Sequence, residues 1–236
     1  TLWHTLSLHD ALPISTDRTG MVDPERVARA VDENTVLLCL MHVNNATGAV
    51  QPLAETVTAV RKAARSGRRI HIHTDLTQSI GRLPPILPEV DVDSASMSGH
   101  KLGAPRGAGV LVLRKTLEPL YRGGGQENGM RPGTENLLSI WGTMRALERH
   151  AVPTPETLSR AHALASLLTR EVSAVGTRAV HGEDPSTTDR FSPFIRAFSF
   201  PPVPAEVLVR TLADRGYIVS TGSVCSSQRD GDARVF

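Results

Sequence analysis

Two short runs most constrain what this chain can fold into. Arg69-Ile70-His71-Ile72-His73-Thr74 alternates in character and ends in Asp75, and Val90-Asp91-Val92-Asp93-Ser94-Ala95-Ser96-Met97 ends in Ser98-Gly99-His100-Lys101. Both read as strands, 69–74 and 90–97. In an open α/β sheet, ligands bind at the carboxyl ends of the strands, so Asp75 and Lys101 are expected to project into one crevice.

A lysine in that position has three readings. It is a solvated surface charge, a point charge for a phosphate, or a desolvated amine able to form a Schiff base with an aldehyde. Pyridoxal phosphate enzymes use the third, with an acid held against the pyridinium nitrogen. Position alone leaves all three open.

The rest of the chain supplies a frame for these strands. Asp23 caps a helix over 24–31 with Pro24 at its first position and Val27, Ala30 and Val31 on one face. A buried strand over 35–43 follows and carries Cys39, expected in the core. His42-Val43-Asn44-Asn45-Ala46-Thr47-Gly48 then reads as a turn at the end of that strand, and so as another crevice loop. A helix over 53–66 stops at Gly67 and returns to the strand 69–74, which with right-handed crossovers predicts a parallel sheet. Pro84 to Pro88 is a connector.

Beyond Lys101, Gly103, Gly107 and Gly109 let the chain turn back into a strand over 110–113. Gly123-Gly124-Gly125 is by itself a weak phosphate-loop signal and more often a flexible connection. A helix over 137–149 precedes a boundary at Val152-Pro153-Thr154-Pro155. Thr154 caps the next helix, expected to turn Leu158, Ala161, Leu164, Leu167 and Leu168 inward. A strand over 196–200, a helix over 204–215 ended by Gly216, and a strand from Tyr217 leading into a mobile loop with Cys225 complete an α+β pattern.

Composition excludes several function classes. The 236 residues are 40% hydrophobic and 21% charged, with a net charge of +2 and scattered arginines, which gives no support for nucleic-acid binding. No apolar run approaches the roughly 20 residues that span a bilayer. Two cysteines make no disulfide framework. With no signal-peptide pattern at the start, the cytoplasm is the expected location. Residues 1–14, with Thr5-Leu6-Ser7-Leu8-His9-Asp10-Ala11-Leu12-Pro13-Ile14, look like a translated sequencing adapter and are expected to be a non-native leader.

Read as wording, the chain goes further. His73-Thr74-Asp75-Leu76-Thr77-Gln78-Ser79-Ile80-Gly81 followed by Ser98-Gly99-His100-Lys101-Leu102-Gly103 resembles the cofactor core of the cysteine desulfurases of the class V aminotransferase superfamily. So does Gly123-Gly124-Gly125-Gln126-Glu127 with its following Arg131 and Gly133-Thr134, and so does Ser220-Thr221-Gly222-Ser223-Val224-Cys225-Ser226-Ser227. Two departures stand out: Ala46 where the family usually has an acid, and Val224 where alanine is more common.

The resemblance implies an α/β, fold-type-I transferase that depends on pyridoxal 5'-phosphate, with a mostly parallel sheet flanked by helices in a partial large domain (15–150) and a partial small α+β domain (151–236). It implies that Lys101 binds the cofactor, Asp75 faces the ring nitrogen, Gln78 contacts the phenolic oxygen, Ser98 and His100 hold the phosphate, and Asn45 contacts cofactor or substrate. Thr134 would reach the phosphate of the partner subunit's cofactor in a homodimer. Cys225 would attack the sulfur of L-cysteine, giving L-alanine and a persulfide for an iron-sulfur scaffold or another sulfur acceptor. The family's ring-stacking histidine and carboxylate-binding arginine are expected to lie before and after this stretch. Another class V enzyme (an aminotransferase or a selenocysteine lyase) and an inactive or purely partner-binding fragment are the alternative readings.

Overall fold

The structure, a computed structural model, describes residues 12–64, 69–175, 178–179 and 190–221. Four strands form its main sheet in the order β1 (Leu37–Met41), β2 (His71–Asp75), β3 (Ser94–Ser98), β4 (Gly109–Leu113). The first three are parallel, and β4 folds back antiparallel to β3. This is the expected mostly parallel α/β arrangement.

The chain enters β1 after α1 (Pro24–Arg29) and passes from β1 to β2 through α2 (Leu53–Ala63). Asp23 caps α1 as expected, its side chain accepting from the Glu25 N–H with Pro24 at the first turn. On α2 the buried residues Leu53, Thr56, Val57 and Val60 follow the three-and-four spacing of one helical face. That face and Val27 of α1 meet Ile70, Ile72, Val90 and Val92 in one apolar cluster. Fully burying each such side chain contributes about 1.5–3 kcal/mol. The Gly67 stop expected for α2 lies outside the described residues, and Ala64 is the helix cap.

Because strand side chains alternate, register decides what each face carries. Leu38 pairs with Ile72, and Leu40 with Thr74, on the face that α1 and α2 cover. Leu37, Cys39 and Met41 point the other way and are exposed. The strand is therefore covered on one face only, His42 and Val43 are buried just past its end, and Cys39 is not a core residue. Among the described residues β1 has a strand neighbour on one side only, and no helix lies over its second face.

The strand expected from Val90 starts only at Ser94, because Asp91 and Asp93 tie down the amino end of the sheet. Arg61 on α2 meets Asp93 at 2.6 Å and Asp91 at 3.1 Å, and Arg69 meets Asp93 at 2.8 Å. Asp93 also accepts the Ile72 N–H at 2.8 Å. These bonds hold α2, the entry to β2 and the entry to β3 together.

The remaining helices are α3 (Leu137–His150), α4 (Pro155–Ser173) and α5 (Ala205–Asp214). Asn136 and Thr154 cap α3 and α4 by accepting the Ser139 and Thr157 N–H groups. Only Ala165 of α4 is fully buried, and Leu164, Leu167 and Leu168 are exposed, against expectation. The covered stripe runs through Leu158, Ala161 and Ala165, one residue's rotation from the leucine-rich face. The strand expected over 196–200 shortens to β6 (Phe198–Ser199), paired antiparallel with β5 (Arg178–Ala179), and 217–221 form no strand. Gly216 ends α5 at φ +84°, as a glycine stop should. Residues 190–195 return to the first crevice loop, where Val50 N–H bonds Arg190 O and Ser192 N–H bonds Gly48 O, both at 2.8 Å.

The Asp93 cluster predicts an acid-side stability slope. Burial alone would raise this carboxyl's pKa, but hydrogen bonds from Arg61, the Ile72 N–H and Arg69 outweigh it and hold Asp93 at about 2. A depressed folded value contributes stability that is complete above the unfolded value of 3.8 and lost as pH falls toward about 2. Asp93→Asn is expected to cost about 1–3 kcal/mol at neutral pH and to flatten that slope, as read from urea midpoints across the acid range.

Candidate active site

The register brings the ends of β1 and β2 level, and β3 runs two residues further, to Ser98. Met41 lies beside Asp75, and Asp75 beside Ser96. The chain leaves β1 with the His42 N–H bonded to Asp75 O at 2.9 Å, and leaves β2 with the Leu76 N–H bonded to Ser96 O at 2.8 Å. The three loops that follow therefore start from one edge of the sheet; Asp75 and Ser98 close β2 and β3, and Asn45, Gln78, His100 and Lys101 sit on the segments that follow.

In the first loop the two adjacent asparagines divide their roles. Asn44 Oδ1 accepts the Ala46 and Thr47 N–H groups at 2.9 and 3.0 Å, which closes the turn. Asn45 is exposed, and its amide bonds no protein group among the described residues. At the end of β1 His42 is buried, its Nδ1 without a partner among the described residues, and burial pushes its pKa down to about 4, so the ring is neutral at neutral pH.

Asp75 is exposed, with Oδ1 accepting the Thr77 N–H at 2.7 Å. Two residues earlier on the same face, the His73 ring bonds Ser94 Oγ at 2.8 Å and Ser96 Oγ at 3.1 Å. Burial lowers the pKa of His73; the Asp75 charge opposes this and His71 reinforces it. Gln78 is half-buried, and its Oε1 accepts from Arg82 Nη1 at 3.0 Å.

After β3 the chain makes one turn of 3-10 helix, Gly99–Leu102, ended by Gly103 at φ +85°. Ser98 Oγ and His100 Nδ1 lie 2.6 Å apart. Gly99 is buried under α3, where an added Cβ would come within 2.2 Å of Thr143 Oγ1. The turn can sit under the helix only because that residue lacks a side chain. Lys101 is exposed, and its side chain makes no ion pair or hydrogen bond among the described residues. The desolvation that a Schiff-base lysine was expected to have is not supplied by the described residues, and the edge is open.

Thr134 is not brought to this edge by any side-chain bond among the described residues. It is exposed in the loop before α3, its carbonyl accepting from Arg131 at 3.4 Å. Cys225 lies outside the described residues. Sequence reading missed Arg82 and the His73–Ser94–Ser96 ladder. Arg82 had only its place four residues after Gln78 as a signal, and the ladder needs the register of β2 on β3.

The family described as aminotransferase class-V matches residues 5–232. The cysteine desulfurase IscS of Dictyoglomus turgidum is 37% identical over 219 residues, covering 92% of this chain and 53% of that protein. The cysteine desulfurase NifS of Azotobacter vinelandii is 35% identical over 218 residues, covering 92% of this chain and 52% of that protein. Among solved structures, a NifS-like protein superposes with a TM-score of 0.79 at 33% identity, over 89% of this chain and 56% of that one. The chain thus spans about half the length of the curated relatives it matches.

The packing of Gly99 under α3 gives a direct test. Gly99→Ala is expected to cost about 1–3 kcal/mol by overpacking, and less in a Thr143→Ala background, where the clashing hydroxyl and methyl are gone. Thermal melts of the four combinations measure this coupling.

Proposed function

Since this chain belongs to the class-V aminotransferase family and has its fold-type-I architecture, we propose that it carries the cofactor core of a cysteine desulfurase that uses pyridoxal 5'-phosphate. The observation that carries this reading is the shared carboxyl edge of β1, β2 and β3, near which an amine, a carboxylate, two amides, a hydroxyl and an imidazole stand. The donor set fits the cofactor. Lys101 offers the amine for its aldehyde, Asp75 a carboxylate for its ring nitrogen, Gln78 an amide for its phenolic oxygen, and Ser98 and His100 donors for its phosphate. Bound there, the cofactor supplies an electron sink for the substrate's α-carbon.

The residues then have distinct tasks. Asp75, held by the Thr77 N–H, keeps a negative charge where a ring nitrogen must stay protonated. Asn45, free of the turn that Asn44 closes, is available to substrate or cofactor. Cys225 is the sulfur acceptor: the C–S bond of L-cysteine breaks, an S–S bond forms on Cys225, and the thiol proton is accounted for in L-alanine. A persulfide on Cys225 can be handed to an iron-sulfur scaffold or another acceptor.

The reading includes a homodimer in which Thr134 serves the partner's cofactor phosphate. It is supported by the apolar surface that Leu120, Tyr121, Leu137, Leu138 and Trp141 leave exposed on and before α3. The division into 15–150 and 151–236, a non-native leader over 1–14 and a cytoplasmic location belong to the same reading. Among the described residues no helix is long and apolar enough to cross a membrane.

Two substitutions test it. Pyridoxal phosphate added to the chain is expected to give a visible absorption band and, after borohydride reduction, a covalent mass adduct on Lys101; Lys101→Ala loses both. Cys225→Ala is expected to keep the band but to lower alanine formation from L-cysteine by about two orders of magnitude or more. Unchanged alanine formation in that variant points to an enzyme that does not use the thiol.

A further inference from the structure

Arg82 has no carboxylate partner within ion-pair distance among the described residues, although it is half-buried and burial lowers its pKa. Its guanidinium instead meets three oxygens of the candidate site: Gln78 Oε1 at 3.0 Å and Thr77 O at 3.3 Å through Nη1, and Lys101 O at 3.3 Å through Nη2. One side chain thus joins the loop after β2 to the turn after β3. The contact with Gln78 also settles that residue's polarity. A guanidinium offers donors and no acceptor, so the amide atom it meets is the carbonyl oxygen. The Gln78 Nε2 is left with two N–H groups and no protein acceptor among the described residues.

We infer that Arg82 is a positioning residue which locks the Gln78 amide as a hydrogen-bond donor toward the ligand while holding the Lys101 turn against the Gln78 loop. The ligand atom facing Gln78 must then be an acceptor, such as an ionised phenolic oxygen, and not a donor. The identity of that ligand rests on the proposed function; the orientation of the amide does not. Without Arg82, the amide is free to turn either end to the ligand, and half of its orientations present an acceptor where a donor is needed.

The test has a ligand-free arm and a cofactor arm. In the first, the 15N spectrum of the free chain is compared for native, Arg82→Lys and Arg82→Met proteins, with the Gln78 amide pair assigned by its loss in Gln78→Ala. Arg82→Met is expected to move the two Nε2 protons toward the values of a free amide and Arg82→Lys to restore part of the shift. An unmoved pair in Arg82→Met overturns the inference. In the second arm, pyridoxal phosphate binding is followed by its visible band. Arg82→Met is expected to weaken binding by about tenfold, the range of one hydrogen bond to a charged acceptor, and to shift the pH midpoint of the band. In a Gln78→Ala background the same substitution should cost less than about threefold. Equal losses in both backgrounds overturn the inference, because Arg82 then acts independently of Gln78. A native chain that gives no band overturns the proposed function, while the ligand-free arm still decides the role of Arg82.

Discussion

Parallel pairing in a single register, with Met41, Asp75 and Ser96 side by side, is the constraint on which the candidate site depends. A slip of one residue between β2 and β3 would turn the face of Asp75 into the helix-covered face and carry Thr74 to the open one. The bonds from the His42 N–H to Asp75 O and from the Leu76 N–H to Ser96 O extend the ladder just past the strands. They are where strand geometry ends and loop chemistry begins.

What holds that register lies at the opposite end of the sheet. Arg61, Arg69, Asp91 and Asp93 bind α2 to the entries of β2 and β3, and the Asp93 carboxylate also takes the Ile72 N–H. Next to it Ile72, Val57 and Val60 are close to fully buried. The ion cluster specifies alignment and the apolar cluster drives association, since burial is non-directional and cannot distinguish one register from the next. The amino ends of the strands are thereby fixed by packing and charge, leaving the carboxyl ends to the loops that carry the candidate site.

The two faces of the sheet differ for the same reason of alternation. One is apolar under α1 and α2; the other carries Leu37, Cys39 and Met41 beside the polar ladder of His71, His73, Ser94 and Ser96. Gly99 under Thr143 and Arg82 across Gln78 and Lys101 then set where the loops rest. These contacts join segments far apart in the chain, so local pattern could not have disclosed them.

Alternation, capping residues and turn glycines were sufficient to place β2, α1, α3, α4 and α5 and to put Asp75 and Lys101 at strand ends, because those signals are local and act within a few residues. The motif wording in turn named the candidate residues without showing that they share an edge. Tertiary structure alone decided which face of β1 and of α4 is covered, and it exposed Cys39, Leu164, Leu167 and Leu168 that apolar pattern had assigned to the interior. It also shortened β3 to begin at Ser94. Burial is a property of what packs against a side chain, and an apolar residue cannot encode by itself whether a neighbour will be there.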